Sequence, residues 1–278
     1  MSGVSDPLSH LGAIVRAGDP DRYLADLFAP ADARRHLFAL HAFDIEVAGI
    51  RWKVSDPTLG EMRLRWWEAA LRGDHGGSPV AAALAETIAV FDLPRSAFDR
   101  LLEARIFDLY DDGMPTLNDL EGYAGDTRSS LLQLGAMILA GGRDPGTAEV
   151  AGLAGVATGL TDVLRWLPRN AAAGQTFLPQ DVLLRHGAAG PLAAPAGSEL
   201  RAALAELRHL ARTRLAESRD AAKGLDQALL PAFLTTATVG LYLDRMEGAA
   251  FDPLRDIADI SPVRRQWTLW RAARKGIF

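Results

Sequence analysis

The chain has 278 residues, of which 49% are hydrophobic and 23% are charged, so it is long enough to bury a sizeable core in one or two domains. Its net charge of −5 and pI near 5.7 exclude the strongly basic composition of nucleic-acid-binding proteins, and we expect no nucleic-acid partner. The absence of cysteine excludes disulfides, thiolate metal sites and cysteine nucleophiles.

Helical periodicity recurs along the chain, whereas the alternation that predicts strands is almost absent. An apolar stripe predicts a first helix that includes residues 37–51 and ends by Asp56, because the residue before a proline disfavours helix. A second helix covers 59–70 and ends at a glycine-rich loop. Further helices are predicted over about 80–91, 94–110, 117–140, 145–167, 197–223, 227–247 and 261–274. The sequence therefore predicts an all-α fold.

No repeat or shift in composition divides the chain, which predicts a single domain over residues 1–278. Within it, the Gly/Pro/Ala-rich segment 185–198 is predicted to be a flexible connection. The N-terminus has no basic region before an apolar block, and glycine, proline and charged residues interrupt the longest weakly charged stretch, 131–164. We therefore predict no secretory signal and no membrane span, and a cytoplasmic protein.

Two blocks of sequence carry motif residues at fixed spacing. In residues 20–70 these are Arg35, Ala42, Phe43, Arg63, Leu64, Trp66 and Trp67. In residues 152–182 they are Leu164, Arg165, Phe177, Leu178, Pro179 and Asp181. Both blocks resemble the squalene/phytoene synthase family, and the resemblance extends more weakly over about 20–275. It implies an isoprenoid-synthase-like helical bundle with a central cavity, in which Ile45, Asp108, Arg165 and Phe177 are candidate pocket residues.

The sequence departs from this family where its chemistry requires acids. The enzymes join two prenyl diphosphates, and Mg²⁺ held by aspartates on two helices stabilises the departing pyrophosphate. The four positions that align with those aspartates are neutral in this chain: Ala48, Trp52, Trp166 and Asn170. We therefore predict no catalytic residue, no metal ligand and no bound cofactor.

The residues near the four neutral positions predict a site that differs from a diphosphate-binding cage. Trp166 is bulky enough to intrude on the space that a diphosphate needs, and Pro168 predicts that its helix ends near Leu167. We expect Trp52 and Trp166 to bury apolar area in place of the ion cage. Arg165 adds positive charge that opposes divalent cations, as does Arg169.

Other acids leave an alternative open. Asp44 lies one turn before Ala48, and Asp162 lies one turn before Trp166, so a displaced Mg²⁺ site about 5–6 Å deeper would permit an active prenyl-diphosphate transferase. The run that contains Asp108, Asp111 and Asp112 is either a metal cluster or a helix end followed by a solvated turn.

A further set of short motifs points to one branch of the family. Its residues are Ala42, Phe43, Glu46, Ala48, Leu164, Arg165, Pro168, His186, Gly187 and residues 177–181 and 231–234. They resemble a non-enzymatic branch of the family that contains mitochondrial complex I assembly factors and bacterial relatives. This resemblance implies a role in NADH dehydrogenase biogenesis, with complex I subunits or assembly intermediates as partners. A carrier that binds a prenyl chain or a lipid without turnover is a compatible hypothesis.

The C-terminal segment 261–278 is basic and contains two tryptophans. Such a helix either lies on an anionic membrane surface, which would make the protein peripheral on the inner membrane, or packs on the body with a solvated basic face. The sequence leaves both arrangements open.

Overall fold

The structure, a computed structural model, describes residues 7–278, so residues 1–6 of the predicted domain lie outside the described part. Residues 7–278 contain α-helices and no strand, and the predicted all-α fold is confirmed. The α-helices are α1 Pro7–Gly18, α2 Pro20–Asp26, α3 Ala31–Ala48, α4 Pro57–Leu71, α5 Pro79–Phe91, α6 Arg95–Ala104, α7 Leu117–Ala124, α8 Ser130–Leu139, α9 Ala148–Arg165, α10 Leu167–Ala172, α11 Gln180–Arg185, α12 Ser198–Ala221, α13 Leu230–Phe233, α14 Val239–Met246 and α15 Pro262–Lys275. A π-helix lies at Gly125–Ser129, and 3₁₀ helices lie at Ile50–Lys53, Phe107–Leu109, Gln227–Leu229 and Leu234–Thr238.

The helices predicted over 80–91, 197–223 and 261–274 are confirmed as α5, α12 and α15. The continuous helix predicted over 227–247 is wrong, because this segment is a series of short 3₁₀ and α turns. Pro231 provides no N–H for a preceding turn and instead lies in the first turn of α13. The helix predicted over 94–110 likewise ends at Ala104.

Among the residues that the structure describes, three apolar clusters hold the bundle together. The largest contains residues of α1, α3, α4, α5, α6 and α8, with Phe43 and Phe98 fully buried. The second is formed mainly by α7, α9, α12 and α14, and the third joins α13 to α15 through Phe233 and Leu269. Residues of the first two clusters, including Ile45 and Val163, line a cleft that the fold leaves open.

Small residues bring α9 close to the π-helix. A Cβ atom at Gly155 would lie 2.4 Å from backbone atoms of Ser129, and one at Gly159 would lie 2.6 Å from Cβ of Ala124. Only glycine permits this approach. The contact sets the distance between Asp162, one turn after Gly159, and the side chains of the π-helix.

The segment between α11 and α12 contains no helix. Its last part is attached to the body, since the amide of Ala196 donates to Asp252 at 3.3 Å and its carbonyl accepts from Arg201 at 3.1 Å. The flexibility of residues 185–198 and the single-domain organisation stay predictions. None of the helices described in residues 7–278 combines the length and the apolar character that crossing a membrane requires.

Candidate functional site

A cleft with a volume of about 690 Å³ lies between α3 and α9. The four positions where the family resemblance places aspartates all line it: Ala48, Trp52, Trp166 and Asn170. The four candidate pocket residues line it as well: Ile45, Asp108, Arg165 and Phe177. The fold therefore brings together side chains that are up to 132 positions apart in the sequence, from Ile45 to Phe177.

Three arginines surround Asp44 at the floor of this cleft. Asp44 is 2% exposed, and its Oδ2 accepts from Arg22 at 2.6 Å and from Arg128 at 3.0 Å, while its Oδ1 accepts from Arg105 at 2.9 Å. Burial opposes the ionisation of Asp44, but the guanidinium groups outweigh burial and hold its pKa well below the usual range. Asp44 is thus a carboxylate whose two oxygens are both occupied by protein donors.

Local structure explains how the three arginines reach one carboxylate. Asp19 caps α2 by accepting from the amide of Arg22, and Pro20 occupies the first turn, which fixes Arg22 at the start of the helix. Arg105 is the C-cap residue of α6, and it is 5% exposed. Arg128 lies in the π-helix, where the extra residue per turn changes the direction of side chains relative to an α-helix.

Arg128 joins the two acids that the sequence offered as displaced metal ligands. Its Nη1 lies 3.0 Å from Asp44 Oδ2, and its Nη2 lies 2.9 Å from Asp162 Oδ2. A guanidinium therefore occupies the place between α3 and α9 where Mg²⁺ would have to bind both carboxylates. Within residues 7–278 no group of three or more His, Asp or Glu side chains could hold a metal ion. The residues present do not fit Mg²⁺.

Asp108 belongs to the same network. Its carboxylate accepts from Arg105 at 3.0 Å and from the hydroxyl of Tyr123 at 2.6 Å. Burial raises the pKa of Asp108, although Arg105 and Tyr123 oppose that shift. Asp111 instead has a side chain that is 67% exposed and pairs with Arg51 at 2.7 Å. The metal-cluster interpretation of this run is therefore wrong, and the helix-end interpretation agrees with the 3₁₀ turn at Phe107–Leu109.

Trp52 lies on the 3₁₀ helix that follows α3 and is 41% exposed. The guanidinium of Arg169 lies over its ring at 3.9 Å from the centroid. The expectation that Trp52 buries its apolar area inside the former ion cage is wrong, because the side chain lines the cleft while its ring stays open to solvent. Trp166, the residue that separates α9 from α10, is half-buried with Arg165 at 5.2 Å from its ring.

A second charged group lies where α15 meets the cleft. Asp21 is 8% exposed and accepts from Tyr242 at 2.7 Å and from Thr238 at 3.0 Å. Arg265 of α15 pairs with Asp21 and with Asp259, the latter at 2.9 Å. Burial raises the pKa of Asp21, with the charge of Asp19 acting in the same direction. This pairing attaches the C-terminal helix to α2.

Arg22, Arg105 and Arg128 are the site residues that sequence reasoning missed. Each comes from a different element, and none shares a recognisable spacing with Asp44. One signal was available, since a buried Asp44 on an otherwise apolar face requires partners. The sequence alone did not identify them.

Comparisons with known proteins identify the family of this chain. A family model described as squalene/phytoene synthase matches residues 15–271. The chain is 30% identical over 259 residues to a Mus musculus protein named NADH dehydrogenase (ubiquinone) complex I, assembly factor 6, covering 90% of this chain and 78% of that protein. It is 26% identical over 182 residues to phytoene synthase from Thermus thermophilus, covering 63% of this chain and 60% of that enzyme.

A solved structure supports the architecture independently. A dehydrosqualene synthase in complex with ligand superposes with a TM-score of 0.82 at 20% identity, and the match covers 97% of this chain and 95% of that one. At this identity the likeness concerns the fold. It confirms the predicted isoprenoid-synthase-like helical bundle.

Proposed function

This chain belongs to the squalene/phytoene synthase family, and from that premise we propose that it is a non-catalytic member that acts in the assembly of respiratory complex I, the NADH dehydrogenase. The observation that carries the proposal is the bridge from Asp44 through Arg128 to Asp162. Ionisation of a prenyl diphosphate needs cations that carboxylates hold between the two helices. Here arginine is bonded to those carboxylates instead. The similarity to assembly factor 6 supports the assembly role.

The proposal includes the partners and the location. The protein contacts complex I subunits or assembly intermediates, and it does so as a peripheral protein at the cytoplasmic face of the inner membrane. The similarity to proteins named as complex I assembly factors supports such an association. The carboxylates of Asp44 and Asp162 at the cleft floor are paired with arginines of the same chain, and the proposal places recognition on the surface of the body.

Deletion of the gene in its host tests the proposal. We expect less assembled, membrane-bound NADH:quinone oxidoreductase on native gels, with unchanged triterpenes and carotenoids. The wild-type gene restores the complex. A variant in which all four motif positions become aspartate (Ala48→Asp, Trp52→Asp, Trp166→Asp, Asn170→Asp) restores it no better than wild type. Normal complex I together with loss of a triterpene or carotenoid would overturn the assembly role.

The cleft itself favours a second candidate, a carrier for a prenyl chain or a lipid. Its volume of about 690 Å³ is of the size that ligand sites have, and Trp52, Tyr123, Trp166 and Phe177 give it aromatic walls. Native mass spectrometry of protein purified without detergent tests this role. A bound amphiphile that survives EDTA treatment supports the carrier, whereas a chain without bound lipid after incubation with prenyl alcohols contradicts it.

A further inference from the structure

The outward face of α15 exposes apolar side chains in a row. Val263 is 77% exposed, Trp267 is 58% exposed, Trp270 is 41% exposed, and Ile277 just beyond the helix is 61% exposed. The two indole rings stack on each other with centroids 5.0 Å apart. At 1.5 Å per residue the row extends for about 20 Å. Exposure of two stacked tryptophan rings to water is unfavourable, and exposed apolar patches of this kind mark interaction sites.

Basic side chains surround this row. Arg264, Arg271, Arg274 and Lys275 are all exposed, and none of them has a carboxylate within 4 Å among the residues that the structure describes. No Asp or Glu occurs in residues 262–278. Arg274 instead lies 5.2 Å from the ring of Trp270. Some arginines elsewhere on the surface, such as Arg212 and Arg214, are paired with acids. What marks this face is that four such cations lie on one helix beside exposed tryptophans.

The opposite face of α15 is fixed to the body. Leu269 is fully buried, Ala272 is 8% exposed, and Arg265 is held by Asp21 and Asp259. Phe278 is 5% exposed and stacks on Phe233. The Trp-bearing face is thus a firm part of the molecular surface and not a free tail.

We propose that the outward face of α15 docks the protein on an anionic lipid bilayer. Tryptophan favours the membrane–water interface, because its ring is apolar and its N–H remains hydrated. Lysine and arginine near a surface of anionic lipids add attraction that salt weakens. An acidic protein segment would have to place a carboxylate beside each guanidinium group. A bilayer can cover the row of exposed apolar side chains and attract all the basic groups without such precise placement. The inference rests on the peripheral location proposed above and names the face that would provide it, but it does not depend on the role in complex I assembly.

Co-sedimentation with vesicles tests the docking face. The protein is mixed with vesicles of phosphatidylcholine alone or of phosphatidylcholine with about one third phosphatidylglycerol, an anionic lipid that gives the surface a negative potential. We expect binding to the anionic vesicles only, a fall of about tenfold or more in partitioning at high salt, and a blue shift of tryptophan fluorescence. The variant Arg271→Glu/Arg274→Glu/Lys275→Glu should lose at least about tenfold in partitioning. Trp267→Ala/Trp270→Ala should weaken binding and abolish the blue shift.

A matched control comes from α4, where Met62 is 62% exposed beside the exposed Arg63 and Arg65. The variant Met62→Ala/Arg63→Glu/Arg65→Glu removes similar groups and should pellet like wild type. Equal loss in this control, equal binding to neutral vesicles, or absence of pelleting by the wild type would each overturn the proposal. A wild-type dimer that Trp267→Ala/Trp270→Ala converts to monomer would assign the face to a second copy and overturn the lipid proposal. The salt titration of the wild type needs no variant and stands if a variant fails to fold.

Discussion

The guanidinium of Arg169 lies over the ring of Trp52, with its central carbon 3.9 Å from the ring centroid. Trp52 follows α3, and Arg169 lies in α10 directly after α9. The two segments that carry aspartate pairs in the enzymes therefore meet through a cation–π contact. Deeper in the cleft Arg128 joins Asp44 to Asp162. Arginine thus connects the two sides of the cleft at both levels.

The exposure of Trp52 predicts a small effect of its removal. Because Trp52 is 41% exposed and its ring contacts one arginine, Trp52→Ala should lower the free energy of unfolding by less than about 2 kcal/mol. Trp67 is 3% exposed and packs edge-on against Phe43, so Trp67→Ala should cost about 3–5 kcal/mol. Chemical unfolding of the two variants measures the difference. Equal losses would show that Trp52 belongs to the core.

Removal of the charge of Asp44 should have a large effect. Asp44→Asn leaves Arg22, Arg105 and Arg128 without their shared carboxylate in a buried site, and breaking a buried ion pair costs about 3–5 kcal/mol. The matched control is Asp220→Asn, whose side chain is 74% exposed and pairs with Lys223 at the surface. It should cost less than about 1 kcal/mol. Denaturant midpoints of the two variants at neutral pH show whether the network around Asp44 contributes more to the free energy of unfolding than a surface ion pair does.

The same carboxylate predicts a pH dependence. Burial opposes ionisation of Asp44, but its guanidinium partners lower the pKa well below the unfolded value of about 3.9. A carboxyl group with a lowered pKa stabilises the native state above the unfolded pKa, and that contribution is lost as pH falls towards the folded pKa. The gap in unfolding free energy between wild type and Asp44→Asn should therefore be constant from pH 7 to about pH 5 and narrow below about pH 4. A gap that narrows already between pH 7 and pH 5 would contradict the lowered pKa.

The four neutral motif positions were identified through the family resemblance, which places aspartates at 48 and 52 and at 166 and 170, and that alignment stays a prediction. Pro168 also predicted a helix end near Leu167, which is confirmed, since α9 ends at Arg165 and Pro168 lies in the first turn of α10. This helix end depends on local chain geometry. Most of the helical content was likewise predictable from periodicity.

The arginine network could not be predicted, because it depends on three-dimensional packing. Arg22 and Asp44 are 22 positions apart, while Arg128 is 84 positions from Asp44. The pairing of Arg128 with Asp44 depends on a π-helix that no periodicity signalled, and its pairing with Asp162 also depends on the close approach of α9 that Gly155 and Gly159 permit. The exposure of Trp52 was missed for a related reason. The sequence shows its apolar character but not the 3₁₀ turn that leaves it at the edge of the cleft.

The cleft chemistry predicts that the protein does not condense prenyl diphosphates. Incubation with labelled farnesyl or geranylgeranyl diphosphate and Mg²⁺ or Mn²⁺ should yield no squalene or phytoene. The reason is the pairing of Asp44 with three arginines and of Asp162 with Arg128, which leaves these acids occupied. For the same reason Mg²⁺ should leave the thermal unfolding temperature unchanged beyond the effect of ionic strength.

One variant tests why the protein would be inactive. Either arginine occupies Asp44 and Asp162, or the four motif positions lack the aspartates that would bind the metal. Arg128→Met removes the guanidinium between Asp44 and Asp162 while it keeps much of the side-chain volume. Arg22 and Arg105 still pair with the two oxygens of Asp44 in this variant, so Mg²⁺ should stabilise neither Arg128→Met nor the wild type in a thermal shift assay with NaCl of equal ionic strength as the control. Stabilisation of the variant by Mg²⁺ would show that Arg128 alone excludes the ion. The variant should still form no product, because the four motif positions remain neutral. Steady product from the wild type, abolished by Asp44→Ala or Asp162→Ala, would instead establish a displaced metal site and contradict the non-catalytic role.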